Sequence, residues 1–194
     1  MPGVRNRPDG QSPRIAVAGT VPKSFGMSVV ALKRAAAFFA ERSRARIGNP
    51  RWNEVTVVLV RDAESEEAHR AIMGVDGATD VITQAYDSIP PEPPGLCGEL
   101  IVNTDQALRA APRRKGWSAA KELLLYVAHG MDHLSGADDH SERDYRAMRR
   151  RELAWIRALE SNAAHAAIYG EPPSRRLGYG GFAVPLSRQD GGCP

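Results

Sequence analysis

The stretch HGMDHLSGADDH, residues 129–140, lies at the end of a strongly amphipathic segment of the chain. Apolar residues recur at helical spacing from Leu124 to Leu134, which predicts a helix over residues 117–135. Gly136 then stands where a helix commonly ends, because glycine adopts the left-handed conformation at little cost. The sequence therefore predicts that this stretch forms the end of a helix and the turn that follows it.

His129 and His133 are spaced i, i+4 on the predicted helix, so their rings lie on one face about one turn apart. This spacing allows two side chains to bind one metal ion. Asp139 or His140, beyond the turn at Gly136, would supply a third ligand. Three protein ligands leave a position for water, which is typical of a catalytic zinc site, and zinc-bound water is acidic enough to serve as the nucleophile. The pattern predicts a metal-dependent hydrolase.

Two residues beside the paired histidines bear on the chemistry. Gly130 costs about 1 kcal/mol relative to alanine inside a helix, so we expect close approach of another backbone or of a substrate there. Zinc peptidases usually place glutamate directly after the first histidine as general base, so this glycine disfavours peptide hydrolysis. RNA suits the site better, because its 2′-hydroxyl can attack the adjacent phosphate. Asp132 is a candidate base, although an exposed helix aspartate is the plainer interpretation.

Composition places this motif in an ordinary globular chain. The chain has 194 residues, 42% of them hydrophobic, which suits one domain with tails. No apolar run approaches the ~20 residues of a membrane helix. The first residues lack the apolar segment of a secretory signal, and Cys97 and Cys193 show no paired-ligand spacing. These features predict a cytoplasmic protein with no disulfide partner.

Arginine is unevenly distributed, although the formal net charge is only +3. The basic clusters are Arg42, Arg44 and Arg46; Arg113, Arg114 and Lys115; and Arg143, Arg146, Arg149, Arg150 and Arg151. Such clusters suit a polyanion such as nucleic acid, although a solvated helix face is the commoner explanation. Arg70, Arg149 and Arg150 are the candidate RNA-binding residues.

The rest of the chain alternates strand and helix patterns. Strands are predicted over residues 14–21, 54–60, 79–86 and 98–103, and helices over 28–44, 65–73, 117–135 and 141–159, with a short helix capped by Thr104. The apolar run EVTVVLV indicates that the second strand is an inner one. In the last helix, Tyr145, Met148, Ile156 and Leu159 are expected to face inward.

This order predicts an α+β fold: a single domain with a small mixed β-sheet, packed helices, and a zinc site on a central helix and the turn after it. Residues 1–13 are expected to form a disordered N-terminal segment. Residues 14–160 are expected to form the domain. Residues 161–194, rich in glycine, proline, serine and arginine, are expected to form a flexible C-terminal tail.

Three blocks of the sequence resemble the YbeY-type endoribonucleases of bacterial rRNA maturation. HGMDHLSG (129–136) is similar to the family's His-Gly-x-x-His-Leu-x-Gly, TDVIT (79–83) to Thr-Asp-Val-Leu-Ser, and GELIV (98–102) to Gly-Asp-Ile-Val-Ile. The order and spacing of these three blocks agree with those of the family, so the resemblance covers roughly residues 14–160. It implies a YbeY-like metallohydrolase domain with one zinc ion per chain and single-strand endoribonuclease activity. It also implies a role in late small-subunit (16S) rRNA maturation and ribosome quality control, with the rRNA precursor and the small ribosomal subunit as partners.

Two departures from the family pattern concern the site. Met73 stands where the family commonly has arginine, so a phosphate contact is in question at that position. Arg70, one turn earlier, could replace it, although a solvated arginine is the plainer interpretation. Many members have a third histidine ten residues after the first, and that place is Asp139 here, with His140 one residue later.

Asp139 and His140 therefore compete for the position of third ligand. The family register favours Asp139, and a carboxylate is an acceptable zinc ligand. Imidazole is the commoner ligand, and a one-residue insertion in a turn is cheap. Asp139 also has a structural alternative, because with Glu142 it could form a capping box for the last helix. The expectation is Asp139, with His140 as the alternative.

Two other functions stay open from the residues. One is a metallohydrolase of another substrate, such as a small phosphoester or a peptide. The other is a non-catalytic ribosome-assembly factor whose structural metal ties the last two helices together. The missing glutamate after His129 and the missing arginine at position 73 leave room for this second alternative.

Overall fold

The structure, a computed structural model, describes residues 12–46, 52–92 and 94–162. Most of the predicted N-terminal segment 1–13 and nearly all of the predicted tail 161–194 lie outside these residues. Among the described residues, no helix is long and apolar enough to cross a bilayer.

The described residues form one sheet of four strands together with five α-helices. The strands are β1 (Arg14–Ala18), β2 (Trp52–Val60), β3 (Val81–Asp87) and β4 (Leu96–Asn103), and the helices are α1 (Val29–Arg46), α2 (Asp62–Met73), α3 (Thr104–Ala110), α4 (Ala119–Leu134) and α5 (Glu142–Ser161). Short 3-10 helices occur at Lys23–Phe25 and Ala111–Arg113. The predicted α+β class is confirmed.

The sheet is mixed, and β2 is an inner strand, as its apolar run predicted. The strand order is β1-β2-β4-β3, with β1 and β4 parallel to β2 and β3 antiparallel to β4. Alternate residues of β2 are buried, among them Val55, Val57 and Leu59, because helices pack on the sheet. β3 lies at one edge of the sheet, so one side of its backbone has no neighbouring strand among the described residues.

Two predicted boundaries were wrong for local reasons. β1 ends at Ala18 rather than at residue 21, because Gly19 follows with a φ of 86°. A Cβ at that glycine would lie 2.5 Å from the carbonyl oxygen of Leu59, so a larger residue does not fit. α2 begins at Asp62 rather than at residue 65, because the Glu64 carboxylate accepts a hydrogen bond from the backbone N–H of Arg61 (2.8 Å).

Two side-chain assignments also change. The N-cap of α3 is Asn103 rather than Thr104, because the Asn103 side chain accepts a hydrogen bond from the backbone N–H of Gln106 (3.0 Å). Tyr145 is exposed (41%) rather than inward, and its ring lies beside the Arg149 guanidinium. The rest of the inward stripe is buried as predicted, at Met148, Ile156 and Leu159.

α4 is buried on nearly every side, between the sheet and the helices α1, α3 and α5. Gly130 shows how closely it approaches the sheet. A Cβ at this position would lie 2.8 Å from Leu100 Cδ2 and 3.1 Å from Val81 Cγ2. The prediction that a backbone or a substrate approaches this glycine was wrong, because side chains of β4 and β3 fill the space.

Asp132 lies on the buried side of α4, and the prediction of an exposed aspartate was wrong. Its side chain is 0% exposed and forms ion pairs with Arg46 of α1 (2.6 Å) and Arg151 of α5 (2.5 Å). Both carboxylate oxygens are occupied by guanidinium groups. This geometry argues against the role of general base, and it makes Asp132 the charged link between three helices.

We expect Asp132→Ala to lower the free energy of unfolding by about 3 kcal/mol or more, because it leaves two partly buried arginines without their counter-ion. Denaturant unfolding of the full chain measures the loss. The matched control is Asp76→Ala, which removes an 82% exposed partner of Arg70 and should cost less than about 1 kcal/mol. Equal costs for the two variants would contradict the central role of Asp132.

Candidate metal centre

The end of α4 and the turn after it bring three side chains together. The Nε2 atoms of His129 and His133 are 3.2 Å apart. The Asp139 carboxylate lies beside them, with Oδ2 3.7 Å from His129 Nε2 and Oδ1 3.9 Å from His133 Nε2. One ligand atom from each residue lies within 4.8 Å of the other two, so these side chains could hold a metal ion.

Both imidazole rings are held in one tautomer by a partner of Nδ1. His129 Nδ1 is 2.6 Å from Oε1 of Glu152, and His133 Nδ1 is 3.0 Å from the carbonyl oxygen of Ala137. Ionised carboxylates and carbonyl groups only accept hydrogen bonds, so each Nδ1 carries the proton and donates it. Each neutral ring then presents a lone pair at Nε2. Partners of this kind are typical of histidines that bind metal.

The atoms that converge at the centre are therefore all acceptors. Two lone pairs face each other across 3.2 Å with a carboxylate beside them. Among the described residues, no hydrogen-bond donor contacts these two Nε2 atoms or the carboxylate. Such groups repel one another unless positive charge lies between them, and a divalent cation would satisfy all three at once. The residues present fit a metal ion.

Gly136 directs the chain back toward the histidines. It adopts a φ of 74°, and its N–H donates to the carbonyl oxygen of His133 (2.8 Å), which ends α4 in a tight turn. The structural alternative for Asp139, a capping box with Glu142, is not what the fold uses. Ser141 caps α5 instead, because its Oγ accepts a hydrogen bond from the backbone N–H of Asp144 (3.1 Å). The Asp139 carboxylate therefore does not cap α5, so capping does not compete with metal binding at this residue.

His140, the alternative third ligand, is not brought to the paired histidines. Its side chain is 89% exposed, and Nδ1 lies 2.5 Å from Oδ1 of Asp138. Asp138, Asp139 and His140 form a second group of potential ligand atoms within 4.8 Å, but it lies on the exposed turn. Of the two competing residues, Asp139 is the one that the fold places beside both helical histidines.

Glu152 is the buried partner that fixes His129. It is 0% exposed, and Arg149 Nη1 lies 3.2 Å from its second oxygen. Burial lowers the pKa of His129, but the hydrogen bond and the charge of Glu152, together with the charge of Asp80, outweigh it and raise that pKa above the usual range. The carboxylate therefore strengthens the attraction of this imidazole for positive charge.

A cleft of about 600 Å³ opens beside the three side chains. Its walls come from the end of α2, from the edge strand β3 and from the turn that carries Asp139. The side chains of His133 and Asp139 are 28% and 31% exposed, so this side of the centre is reached from solvent. Histidine and aspartate line the cleft, but no lysine or arginine of the described residues does.

The predicted RNA-binding arginines lie in different surroundings. Arg70 is exposed, and its guanidinium pairs with Glu66 (2.9 Å) and Asp76 (2.6 Å) rather than lining the cleft. Arg149 is directed at Glu152. Arg150 lies on the exposed face of α5. Only Arg150 of the three is placed as a solvated cation without an ion pair among the described residues.

Sequence reasoning missed two residues of this region, Glu152 and His69. A signal existed for Glu152, which shares the apolar stripe of α5 with Met148 and Ile156 at a spacing of four residues. A carboxylate on a buried stripe requires a buried partner. No comparable signal existed for His69, because only the fold places α2 beside the cleft.

Comparison with known proteins identifies relatives. The family profile described as "Endoribonuclease YbeY" matches residues 27–160. A curated protein of that name from Anaeromyxobacter sp. (strain Fw109-5) is 37% identical over 128 residues, which cover 64% of this chain and 61% of the relative. The protein of that name from Rhodopirellula baltica is 37% identical over 106 residues, covering 54% of this chain and 53% of the relative. The chain thus spans only between half and two thirds of the length of these two relatives.

A solved structure is also similar to this chain. The solution structure of TM1509 from Thermotoga maritima is 22% identical, with a TM-score of 0.49, and the match covers 84% of this chain and 99% of that one.

We expect Glu152→Gln to weaken the binding of added zinc by about 10- to 100-fold, because the amide oxygen can still accept from His129 Nδ1–H but no longer supplies the negative charge that strengthens Nε2 as a ligand. Competition with a chromophoric chelator measures the affinity of the full chain. The control is Glu160→Gln on the same helix, which removes a surface ion pair to Lys121 (2.7 Å) and should leave affinity unchanged. If a folded Glu152→Gln variant binds zinc as tightly as the wild type, this carboxylate does not contribute to metal binding.

Proposed function

The chain belongs to the endoribonuclease YbeY family, and on that premise we propose that it is a metal-dependent endoribonuclease that cleaves single-stranded RNA. The proposal includes zinc as the metal, the precursor of small-subunit rRNA as the substrate, and a place in late 16S maturation and ribosome quality control. The observation that carries the proposal is the convergence of two Nε2 lone pairs and one carboxylate at the mouth of an open cleft.

The donor set supports zinc. Two imidazole nitrogens and one carboxylate oxygen are ligands that zinc accepts readily in tetrahedral sites, and three protein ligands leave one position for a substrate or water. The partial exposure of His133 and Asp139 beside the cleft supports an open position on the solvent side. A purely structural metal would favour a closed set of four ligands, so this openness supports catalysis.

The cleft supports a single strand as substrate. Its volume of about 600 Å³ lies in the range that encloses a drug-sized ligand, so it suits about one or two nucleotides rather than a duplex. Proteins that recognise single-stranded RNA splay out unstacked nucleotides in this way. The edge strand β3 and the end of α2 would flank the phosphodiester that reaches the metal centre.

The residues of the chain have separate tasks in this proposal. A bound zinc ion would supply Lewis-acid stabilisation of the charge that builds on the phosphate oxygens. His129, His133 and Asp139 would hold it, and Glu152 accepts the Nδ1 proton of His129 in a hydrogen bond that leaves Nε2 to face the ion. Asp132 takes no part in proton transfer, because its carboxylate is occupied by Arg46 and Arg151.

The outer face of α5 supports a role in holding the RNA backbone. Arg143, Arg150 and Arg157 follow one another at intervals of seven residues and are exposed, so they form one stripe along the helix. Arg149 and Arg151, by contrast, are directed at Glu152 and Asp132. We therefore place RNA binding on the stripe that contains Arg150, and not on the two neighbouring arginines or on Arg70.

We expect Asp139→Ala to abolish tight zinc binding and RNA cleavage, whereas His140→Ala retains both within about twofold, because Asp139 is the one of these two residues that lies beside the paired histidines. Zinc content by atomic absorption and cleavage of an end-labelled single-stranded RNA measure the two effects. A duplex of the same sequence is the substrate control. Full zinc occupancy and cleavage in Asp139→Ala would overturn the assignment, and a zinc-loaded wild type that leaves the single strand intact would overturn the proposed function.

We expect Arg143→Ala combined with Arg150→Ala to flatten the dependence of log affinity on log salt by about 1.4, since each phosphate contact on a single strand contributes about 0.7. Fluorescence anisotropy in the presence of a chelator gives the slope without cleavage. The control pair is Arg113→Ala with Lys115→Ala, exposed cations near the opposite end of α4. Equal slopes for both pairs would mean that the stripe is only a solvated face.

A further inference from the structure

His69 is a half-buried side chain of α2 that lines the same cleft as His133 and Asp139. It is not one of the three side chains that converge at the metal centre. It lies one turn before Met73, which lines the cleft as well. The ring is a polar group in a wall whose other members on α2 and β3 are mainly apolar. A polar side chain in this position can form a hydrogen bond with a molecule that fills the cleft.

The chain fixes the orientation of the His69 ring. Nδ1 lies 2.8 Å from the carbonyl oxygen of Gly77, in the turn that follows α2. Because a carbonyl oxygen only accepts, Nδ1 carries the proton. Gly74 and Gly77, both with positive φ, shape this turn so that the carbonyl group meets the ring. In the neutral form of the ring, Nε2 then carries the lone pair, and the described residues provide no hydrogen-bond partner for this atom.

A lone pair at Nε2 requires a ligand that donates a hydrogen bond. A neutral Nε2 accepts a hydrogen bond and cannot bind a phosphodiester oxygen, which also only accepts. In a strand of RNA, the 2′-hydroxyl of the ribose is a donor that DNA lacks, and it is the group through which proteins tell RNA from DNA. The turn after α4 already contributes the carboxylates of Asp138 and Asp139 to the cleft, so a further acceptor on α2 suits a sugar better than a phosphate.

We propose that His69 Nε2 accepts a hydrogen bond from a ribose 2′-hydroxyl of the strand in the cleft and so makes this site select RNA over DNA. The inference rests on the proposed function. His69 is a specificity residue in this role: it contacts the sugar beside the scissile bond and leaves the metal centre unchanged. Its hydrogen bond to Gly77 serves to hold the accepting nitrogen in place.

Two substitutions separate substrate contact from support of the turn. In His69→Asn, the side-chain amide can still donate to the Gly77 carbonyl but places nothing at Nε2. In His69→Gln, the longer side chain places its amide near the position of Nε2 and can accept a hydrogen bond there. Glu67→Gln is the control, because it changes an exposed residue of the same helix that does not line the cleft.

The experiment uses the zinc-loaded full chain and two single strands of the same sequence. Initial rates give KM and kcat for the RNA strand, and competition gives Ki for the DNA strand. We expect His69→Asn to raise KM for RNA by about fivefold to tenfold, the usual worth of one hydrogen bond, with Ki for DNA and zinc content unchanged. His69→Gln should stay within about twofold of the wild type, as should Glu67→Gln.

Two results would overturn the inference. If His69→Asn raises KM for RNA and Ki for DNA by the same factor, the residue acts on the phosphate backbone or on the shape of the cleft, not on the ribose. If neither constant changes while the wild type cleaves RNA, His69 only holds the turn at Gly77. Failure of the wild type itself to cleave RNA is a separate result, and it removes the proposed function together with this inference.

Discussion

The hydrogen bond between His129 Nδ1 and Glu152 is the interaction on which the site depends. It joins α4 to α5 in the protein interior, at 2.6 Å between two side chains that are nearly inaccessible to water. A buried carboxylate is costly unless it is hydrogen-bonded and paired. Arg149 lies beside Glu152 on the same helix, whereas the imidazole N–H of His129 reaches the carboxylate only when α5 packs against the end of α4. The same contact sets the tautomer of His129, so the packing of two helices also determines which nitrogen faces the cleft.

The end of α4 carries structural and chemical groups on different faces of the same turns. Asp132 points toward α1 and α5 and balances two arginines, whereas His129 and His133 point toward the turn that carries Asp139. Gly130 allows the helix to lie against Leu100 and Val81 of the sheet. The rigid position of α4 therefore follows from charge on one face and close packing on another. The packing of α4 therefore fixes where the side chains of His129 and His133 lie.

Charge is distributed differently from what the density of arginine indicates. Arg46, Arg149 and Arg151 face carboxylates inside the protein, and the cleft wall has no arginine or lysine among the described residues. The attraction of a polyanion would thus come from the centre itself and from the exposed stripe of α5. This separation fits the proposed function, in which α5 would bind the RNA strand outside the cleft and His69 would contact a ribose inside it.

The sequence by itself determined the local features of the centre. The i, i+4 spacing of His129 and His133, the helix that carries them and the stop at Gly136 all follow from periodicity and from glycine conformation, which are properties of neighbouring residues. Element types were likewise predictable from patterns of apolar residues. The tertiary structure alone decided that Asp132 is buried between two arginines, that His69 lines the cleft, and that His129 is the buried partner of the carboxylate on the apolar stripe of α5. Those outcomes depend on contacts between residues far apart in the chain, because burial and charge pairing are set by the neighbours that packing supplies.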